Sequence, residues 1–333
     1  MKWSNKEANK WYEETGWIIG FNYLPSTAVN STEMWQQETY DGKIIKKELR
    51  LAADSGFNSC RVFLPFLVWE MQRNKFMENL IDFCNIAGSC GLSVMPVLFD
   101  DCAFSGKEPY PGAQDAPRYG VHNSGWTSCP GSKIADDPAK EQILSEYIKS
   151  VISTFKNNKQ IIVWDLYNEP GNNNRETKCL PLLEKAFQWA RAADPIQPLT
   201  ACIWEFNDGH ISKEYNLRFA ELSDVISYHD YFPLSESEKI IEKLKKHNRP
   251  LLCTEWLHRP AGNTFESHLP LYKRESVGIY NWGLVTGKTQ TNLNWDTMTG
   301  KPDALPKLWQ HDIFYPNGTP YDEEEIRLIR NIE

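Results

Sequence analysis

No apolar run in the 333-residue chain approaches the ~20 residues that a membrane-spanning helix needs, so no membrane span is expected. Basic residues are scarce as well: 36 Lys and Arg stand against 44 Asp and Glu, a formal net charge of −8. Proteins that grip phosphate backbones carry a basic face, so no nucleic-acid partner is expected. The eight cysteines include no Cys-x-x-Cys pair, which argues against a zinc ribbon or a thioredoxin-like site. Cys60, Cys202 and Cys253 fall in apolar runs and read as free buried thiols. Cys102 and Cys129 flank a long loop, and the sequence leaves open whether they are bridged. Met1-Lys2-Trp3-Ser4-Asn5-Lys6 lacks the apolar stretch of a secretory signal. Localisation therefore stays open: cytoplasmic as the chain stands, secreted or periplasmic if a signal was removed. Oligomeric state is equally unspecified.

What the chain has in excess is aromatic surface, with 13 Trp, 14 Tyr and 15 Phe. Aromatic rings build cores, but tryptophan at this density also suits sites that stack flat, weakly polar ligands. Short β-rich apolar runs recur at 17–21, 59–64, 93–99, 160–166, 199–204, 224–228, 250–254 and 277–282. Such runs are typical of parallel strands buried on both faces. Helical spacing appears between them: Ile45, Leu49 and Ala52; Phe76, Leu80, Phe83 and Ala87; Ile143, Tyr147, Val151 and Phe155; Leu183, Phe187 and Ala190; Ile240, Ile241 and Leu244. The stretch 267–275 is a weaker helix, because Pro270 interrupts it.

Eight strands alternating with helices predict an α/β fold, a (β/α)8 TIM barrel. A doubly wound sheet is the alternative, but no Gly-x-Gly-x-x-Gly follows the first strand, so no dinucleotide cofactor is expected. No linker or low-complexity tract divides the chain, so a single catalytic domain over residues 1–333 is expected. Two insertions break the rhythm, 100–136 after the third strand and 287–320 after the eighth, the latter carrying Trp295 and Trp309. Long loops in a compact domain are usually functional, and the loops after barrel strands build the active face.

Polar residues at strand ends are accordingly the candidates. The fourth strand ends Asn168-Glu169-Pro170 and the seventh ends Thr254-Glu255-Trp256. Either glutamate alone could be a salt-bridge partner at the rim. Two at matching strand ends, each near an aromatic, fit glycoside hydrolysis, where one carboxyl donates a proton and the other meets positive charge at the anomeric carbon. Their environments would set the two roles apart.

These motifs resemble the signature of the clan A retaining glycoside hydrolases, especially the family 5 cellulase and mannanase group, over nearly the whole of residues 17–282. The resemblance implies Glu169 as acid/base, Glu255 as nucleophile and Asn168 as the contact to the sugar 2-hydroxyl. Arg61 resembles the family arginine beside the nucleophile, where its charge would hold Glu255 ionised. His229-Asp230-Tyr231 resembles the family His-x-Tyr, with Tyr231 placed to hydrogen-bond the nucleophile. Trp282, ending the eighth strand, would be the platform under the reactive sugar. The aromatic excess and the acidic balance, with few cations near the motifs, predict a neutral β-linked glycan as substrate, and no cofactor or metal is expected.

The chain departs from the family where a histidine commonly ends the third strand; here it has Asp100-Asp101, either of which could take over hydroxyl recognition. Glu205 near the fifth strand reads equally as a substrate contact or a rim salt bridge, and the segment Asn123-Ser124-Gly125-Trp126 as a further stacking wall. Two rival readings remain. A glycan-binding barrel without catalysis is disfavoured by the two intact glutamates. A metal-dependent hydrolase would draw on Asp100, Asp101, His229 and Glu169, but no tight ligand spacing supports it.

Overall fold

The computed structural model describes residues 1–299 and 308–332, so part of the second insertion, 300–307, lies outside the described residues. Each of the eight apolar runs contributes to a barrel strand. These are β1 Ile19–Asn22, β2 Ser59–Phe63, β3 Ser93–Asp100, β4 Trp164–Asn168, β5 Leu199–Thr200, β6 Ile226–Asp230, β7 Leu251–Trp256 and β8 Gly278–Asn281. All pairings are parallel, in the order β5-β4-β3-β2-β1-β8-β7-β6. Between β5 and β6 a single parallel bridge, Ile203 to Tyr228, nearly closes the circle. This is the (β/α)8 barrel.

A helix follows each strand and covers it from outside. The amphipathic spacing at Ile45, Leu49 and Ala52 lies in Gly42–Asp54, and all three side chains are buried. The helix around Pro270 also forms, over Phe265–Arg274, starting at a capping box between Thr264 and Ser267. The segment 66–89 is a longer helix than its spacing suggested, merged across a kink at Gln72. Among the described residues, no helix is long and apolar enough to cross a membrane. All eight cysteines are free. Cys102 and Cys129 are unbridged, and the Cys129 thiol instead lies 3.2 Å from the Leu98 carbonyl.

Among the helices not read from the sequence are Asn216–Leu222 after β5, Glu323–Asn331 after β8, and one before β1. Asn5–Thr15 is closed at its start by Ser4 and Glu7, whose side chains cap each other's backbone N–H groups. Its only buried residue is Ala8, and one buried position gives too faint a periodicity to detect. Ala8 sits in a separate apolar cluster with Ile18, Met95, Val163, Val225, Leu252 and Tyr280, against which Trp3, Trp11 and Tyr12 pack. The six core residues besides Ala8 come from six of the barrel strands or the turns into them, so the helix stops the end of the barrel away from the strand C-termini. Enlarging its contact residue (Ala8→Leu) should cost ~1–3 kcal/mol by overpacking. The exposed change Lys6→Ala should stay within ~0.5 kcal/mol. Urea unfolding of both variants checks this; equal effects would show that the helix does not plug the barrel.

Candidate active site

The strand C-termini are held level by register. Asn22 of β1 pairs with Arg61 of β2, and Asp100 of β3 with Asn168 of β4. On the other side Tyr228 of β6 faces Cys253 of β7, yet the next residue, His229, faces Glu255. Thr254 is therefore the extra residue of a β-bulge, which bends a strand and re-aims its side chains. Here it sets an imidazole beside a carboxylate.

Arg61 is fully buried among these ends. Its Nη1 donates to Asn22 Oδ1 at 2.7 Å and to Glu255 Oε1 at 3.2 Å. Nε and Nη2 donate to Asp165 Oδ2 at 3.1 and 2.8 Å, and Nη2 also reaches Asn168 Oδ1 at 2.6 Å. Arg61 was expected to serve Glu255 and hold it ionised. The structure divides its charge instead, and the shorter ion pair is with Asp165. Burial pushes the Glu255 carboxyl above its ordinary range, against the opposing pulls of His229 and Arg61. Asp165 and Asn22 are the site residues that sequence reading missed. An acid inside the apolar run 160–166 was a usable signal for Asp165; Asn22 offered none beyond its strand-end position.

Glu169 and His229 complete the centre. The Glu169 backbone takes φ 40°, a left-handed conformation rare outside glycine, as the chain turns out of β4 into Pro170. Its N–H points at Cys202 Sγ, 3.0 Å away. Burial raises its pKa, and Asn172 donates to its Oε2. His229 Nδ1 lies 2.8 Å from Glu169 Oε1, while Nε2 lies 3.5 Å from Glu255 Oε1, beside it but not hydrogen-bonded. Burial lowers the His229 pKa to about 4, so the imidazole is neutral at neutral pH. Tyr231 donates its hydroxyl to Glu255 Oε2 at 2.8 Å.

These groups open into a cavity of about 520 Å³, which Asn168, Glu169, His229, Tyr231, Glu255 and Trp282 all line. Trp126 lines it too and stands edge-on to Trp282 at 5.6 Å. The loop after β8 supplies Trp295, whereas Trp309 stacks on Tyr321 outside the cavity. Trp204 and three histidines, His122, His258 and His311, are further lining residues that the sequence reading did not single out.

Arg61 lies buried behind the cavity lining, and three further candidates are not brought into the cavity. Asp100 accepts hydrogen bonds from Asn168 Nδ2, Trp126 Nε1 and the Cys102 N–H, each at 2.8 Å. Asp101 is held by Tyr167, the Gly171 N–H and Arg175. With their oxygens committed to protein donors, neither takes over hydroxyl recognition. Glu205 is bound by Tyr215 at 2.8 Å and Asn216 at 3.2 Å, and among the described residues it neither lines the cavity nor pairs with a cation. The four-residue metal set is likewise not assembled: among the described residues Glu169 and His229 group with Glu255, and Asp100 and Asp101 are engaged by the donors just named. Glu169, His229 and Glu255 do lie close enough to hold a cation. Each is already hydrogen-bonded within the protein, and Glu255 also faces the Arg61 cation.

Two glutamates at the ends of β4 and β7 of an eight-stranded barrel, above an aromatic-walled cavity, define the class as a barrel glycosidase. Comparisons with known proteins support that class. Residues 115–279, a little under half the chain, match the family model described as glycosyl hydrolases family 2, TIM barrel domain. Among solved structures, GH5_18 from Streptomyces cattleya in complex with Manβ1-4GlcNAc is 14% identical with a TM-score of 0.62, over 96% of this chain and 82% of that one. The exo-β-1,4-mannosidase Op5Man5 from Opitutaceae bacterium strain TAV5 is 16% identical with a TM-score of 0.64, over 95% of this chain but only 59% of its own. The endo-β-1,4-mannanase from Thermotoga petrophila is 14% identical with a TM-score of 0.59, over 94% of this chain and 75% of that one. The search of curated proteins finds no match. At these identities the solved structures establish the fold, and the resemblance to clan A glycoside hydrolases stands.

The charge network makes two predictions. Removing the deeper counter-ion (Asp165→Ala) leaves the Arg61 cation under-compensated in the interior and should cost ~3–5 kcal/mol in denaturant unfolding. His229 has a folded pKa below its unfolded value, so its contribution to stability is complete above about pH 6.5 and is lost as pH falls toward 4. Over that window wild type should lose about 3 kcal/mol more than His229→Gln. Parallel stability curves for the two proteins between pH 7 and 4 would contradict this assignment.

Proposed function

We propose that the chain is a retaining β-glycosidase acting on a neutral β-linked glycan or oligosaccharide, with Glu169 as acid/base and Glu255 as nucleophile. The observation that carries this reading is the spacing of the two acids: an oxygen of Glu169 and an oxygen of Glu255 lie within 4.8 Å of each other. Retaining enzymes hold their carboxyls ~5–5.5 Å apart, whereas inverting enzymes need ~6.5–9.5 Å to seat a water.

The neutral imidazole between the acids supports the division of roles. It has one N–H for two carboxyl groups. With Glu169 protonated, its O–H donates to His229 Nδ1 and the His229 Nε2–H turns toward Glu255. The proton then rests on the acid and the charge on the nucleophile. Tyr231 and Arg61 both donate to Glu255, favouring its ionised form. In the first step Glu255 attacks the anomeric carbon as Glu169 protonates the departing oxygen. In the second, Glu169 takes a proton from water, which displaces the glutamate. Asn168 has its oxygen bound by Arg61 and one N–H by Asp100, leaving the second N–H for a sugar 2-hydroxyl.

Charge and lining support a neutral sugar. No Lys or Arg is among the described residues lining the cavity. Two cations near the motifs in sequence are engaged elsewhere, Arg259 with Glu325 and Lys288 with Glu33, each at 2.6 Å. A uronate carboxylate would therefore meet two glutamates and no free cation. Indole faces instead suit the C–H faces of an uncharged pyranose.

Proton NMR of the first-formed anomer should show retained β configuration; an α product would overturn the double displacement. Glu255→Ala should abolish turnover on every glycoside, with azide restoring activity. Glu169→Ala should spare the first step on substrates with good leaving groups, which need little protonation. Equal losses on activated and unactivated substrates would remove Glu169 from the acid's role.

A further inference from the structure

The cavity is walled on one side by three loops tied to one another, and this bears on how a chain can lie in it. The loops follow β1, β3 and β8. Asn30 Nδ2 donates to the Gly125 carbonyl at 3.0 Å, and the loops touch so closely there that a Cβ on Gly125 would stand 2.3 Å from Val29 Cγ2. The third loop is joined to the eighth by the Asn123 N–H to the Thr289 carbonyl at 2.7 Å, and by the His122 N–H to Thr297 Oγ1 at 3.0 Å. The eighth is joined to the first by the Lys288 N–H to the Ser26 carbonyl at 3.0 Å. At that crossing a Cβ on Gly287 would stand 2.2 Å from Ser26 O. Most of these ties use backbone groups, and two of the contacts admit no side chain at all. The wall is part of the fold and not a chance meeting of long side chains.

Of the residues that these loops turn to the cavity, His122, Asn123 and Trp126 are buried at 2%, 1% and 3% exposure, while Cys102, Phe104, Trp295 and Met298 are partly exposed. The opposite rim, beyond Glu169, is made of Asn172, Trp204 and Phe232, partly exposed, and Pro233, exposed. In a retaining glycosidase the leaving group departs on the side of the acid, and the rest of a polymer runs the other way past the sugar that is attacked. Here the acid's side carries its own indole, Trp204, while on the other side Trp126 stands edge-on to Trp282 with the tied loops behind it.

We propose that the site is a pocket for one terminal sugar, so that the protein releases single monosaccharides from the non-reducing end and does not cut within chains. This rests on the retaining-glycosidase reading above. The wall of the loops after β1, β3 and β8 sets the length of the glycone at one ring, and Trp204 supports the leaving group.

The experiment first uses 4-nitrophenyl β-monoglycosides of the neutral sugars to find the sugar accepted. It then follows a linear pentasaccharide of that sugar, and the same pentasaccharide capped on its non-reducing end by a 4,6-benzylidene group. The expected result is hydrolysis of a monoglycoside, with the monosaccharide as the first and only small product from the pentasaccharide. Cleavage of the capped chain should be slower by ~100-fold or more, the scale of a misplaced reacting ring. Early disaccharide or trisaccharide, cleavage of the capped chain at the uncapped rate, or activity on oligosaccharides with none on monoglycosides would overturn the pocket while leaving a glycosidase. No turnover on any of these neutral glycosides would instead overturn the proposed function, and this inference with it.

Discussion

A guanidinium with no exposed surface has to find its counter-charge inside the protein, and at Arg61 that requirement organises the site. Two carboxylates and two amide oxygens surround it, Asp165 and Glu255 with Asn22 and Asn168. A buried cation that loses its partners is strongly destabilising, so the barrel must hold these strand ends in register. The order then passes outward. Asn168 is fixed on one side by Arg61 and on the other by Asp100; Asp100 also fixes Trp126, which stands against Trp282. Charge balance in the barrel is thus coupled to the position of the aromatic walls.

The same burial that makes Arg61 demanding sets the chemistry of the two glutamates. Both are pushed toward the protonated form by loss of water, and Glu255 also by the nearby charge of Glu169. What separates them is the donors each one meets. Glu255 receives Arg61 and Tyr231, while Glu169 receives Asn172 and shares its other oxygen with a histidine that burial keeps neutral. A cationic histidine there would be a stronger donor to Glu169 and would favour its ionised form. Neutrality of His229 is therefore a condition for an acid that starts protonated.

Barrel and loops contribute differently. The strands place charged and polar groups at one level, an arrangement shared with many barrels. The loops after β1, β3 and β8 are tied by hydrogen bonds and by two glycine contacts with no room for a side chain. They decide the shape of the space above those groups. The ties between the loops are made away from the two glutamates, and the link from the strand ends to the wall runs through Asp100 and Trp126.

Much of the fold was legible because burial on both faces leaves a plain mark: eight short apolar runs, with helical spacing between them. The two glutamates were legible because a carboxylate ending such a run, followed by Pro170 or Trp256, has few structural reasons to be there. The plugging helix at Asn5–Thr15 was not legible, since it buries one alanine and presents no stripe. Asp100 and Asp101 looked like ligands for substrate and proved to be acceptors for protein donors. Sequence shows that an acid is present but not which donor reaches it. The bulge at Thr254, the division of Arg61 between Asp165 and Glu255, and the wall of three loops belong to the tertiary structure alone. Each depends on groups dozens to hundreds of residues apart meeting within a few ångströms, and local pattern holds no record of such distances. By itself the sequence determined which strands would be buried and which of them end in acids; the packing of the barrel decided what those acids face.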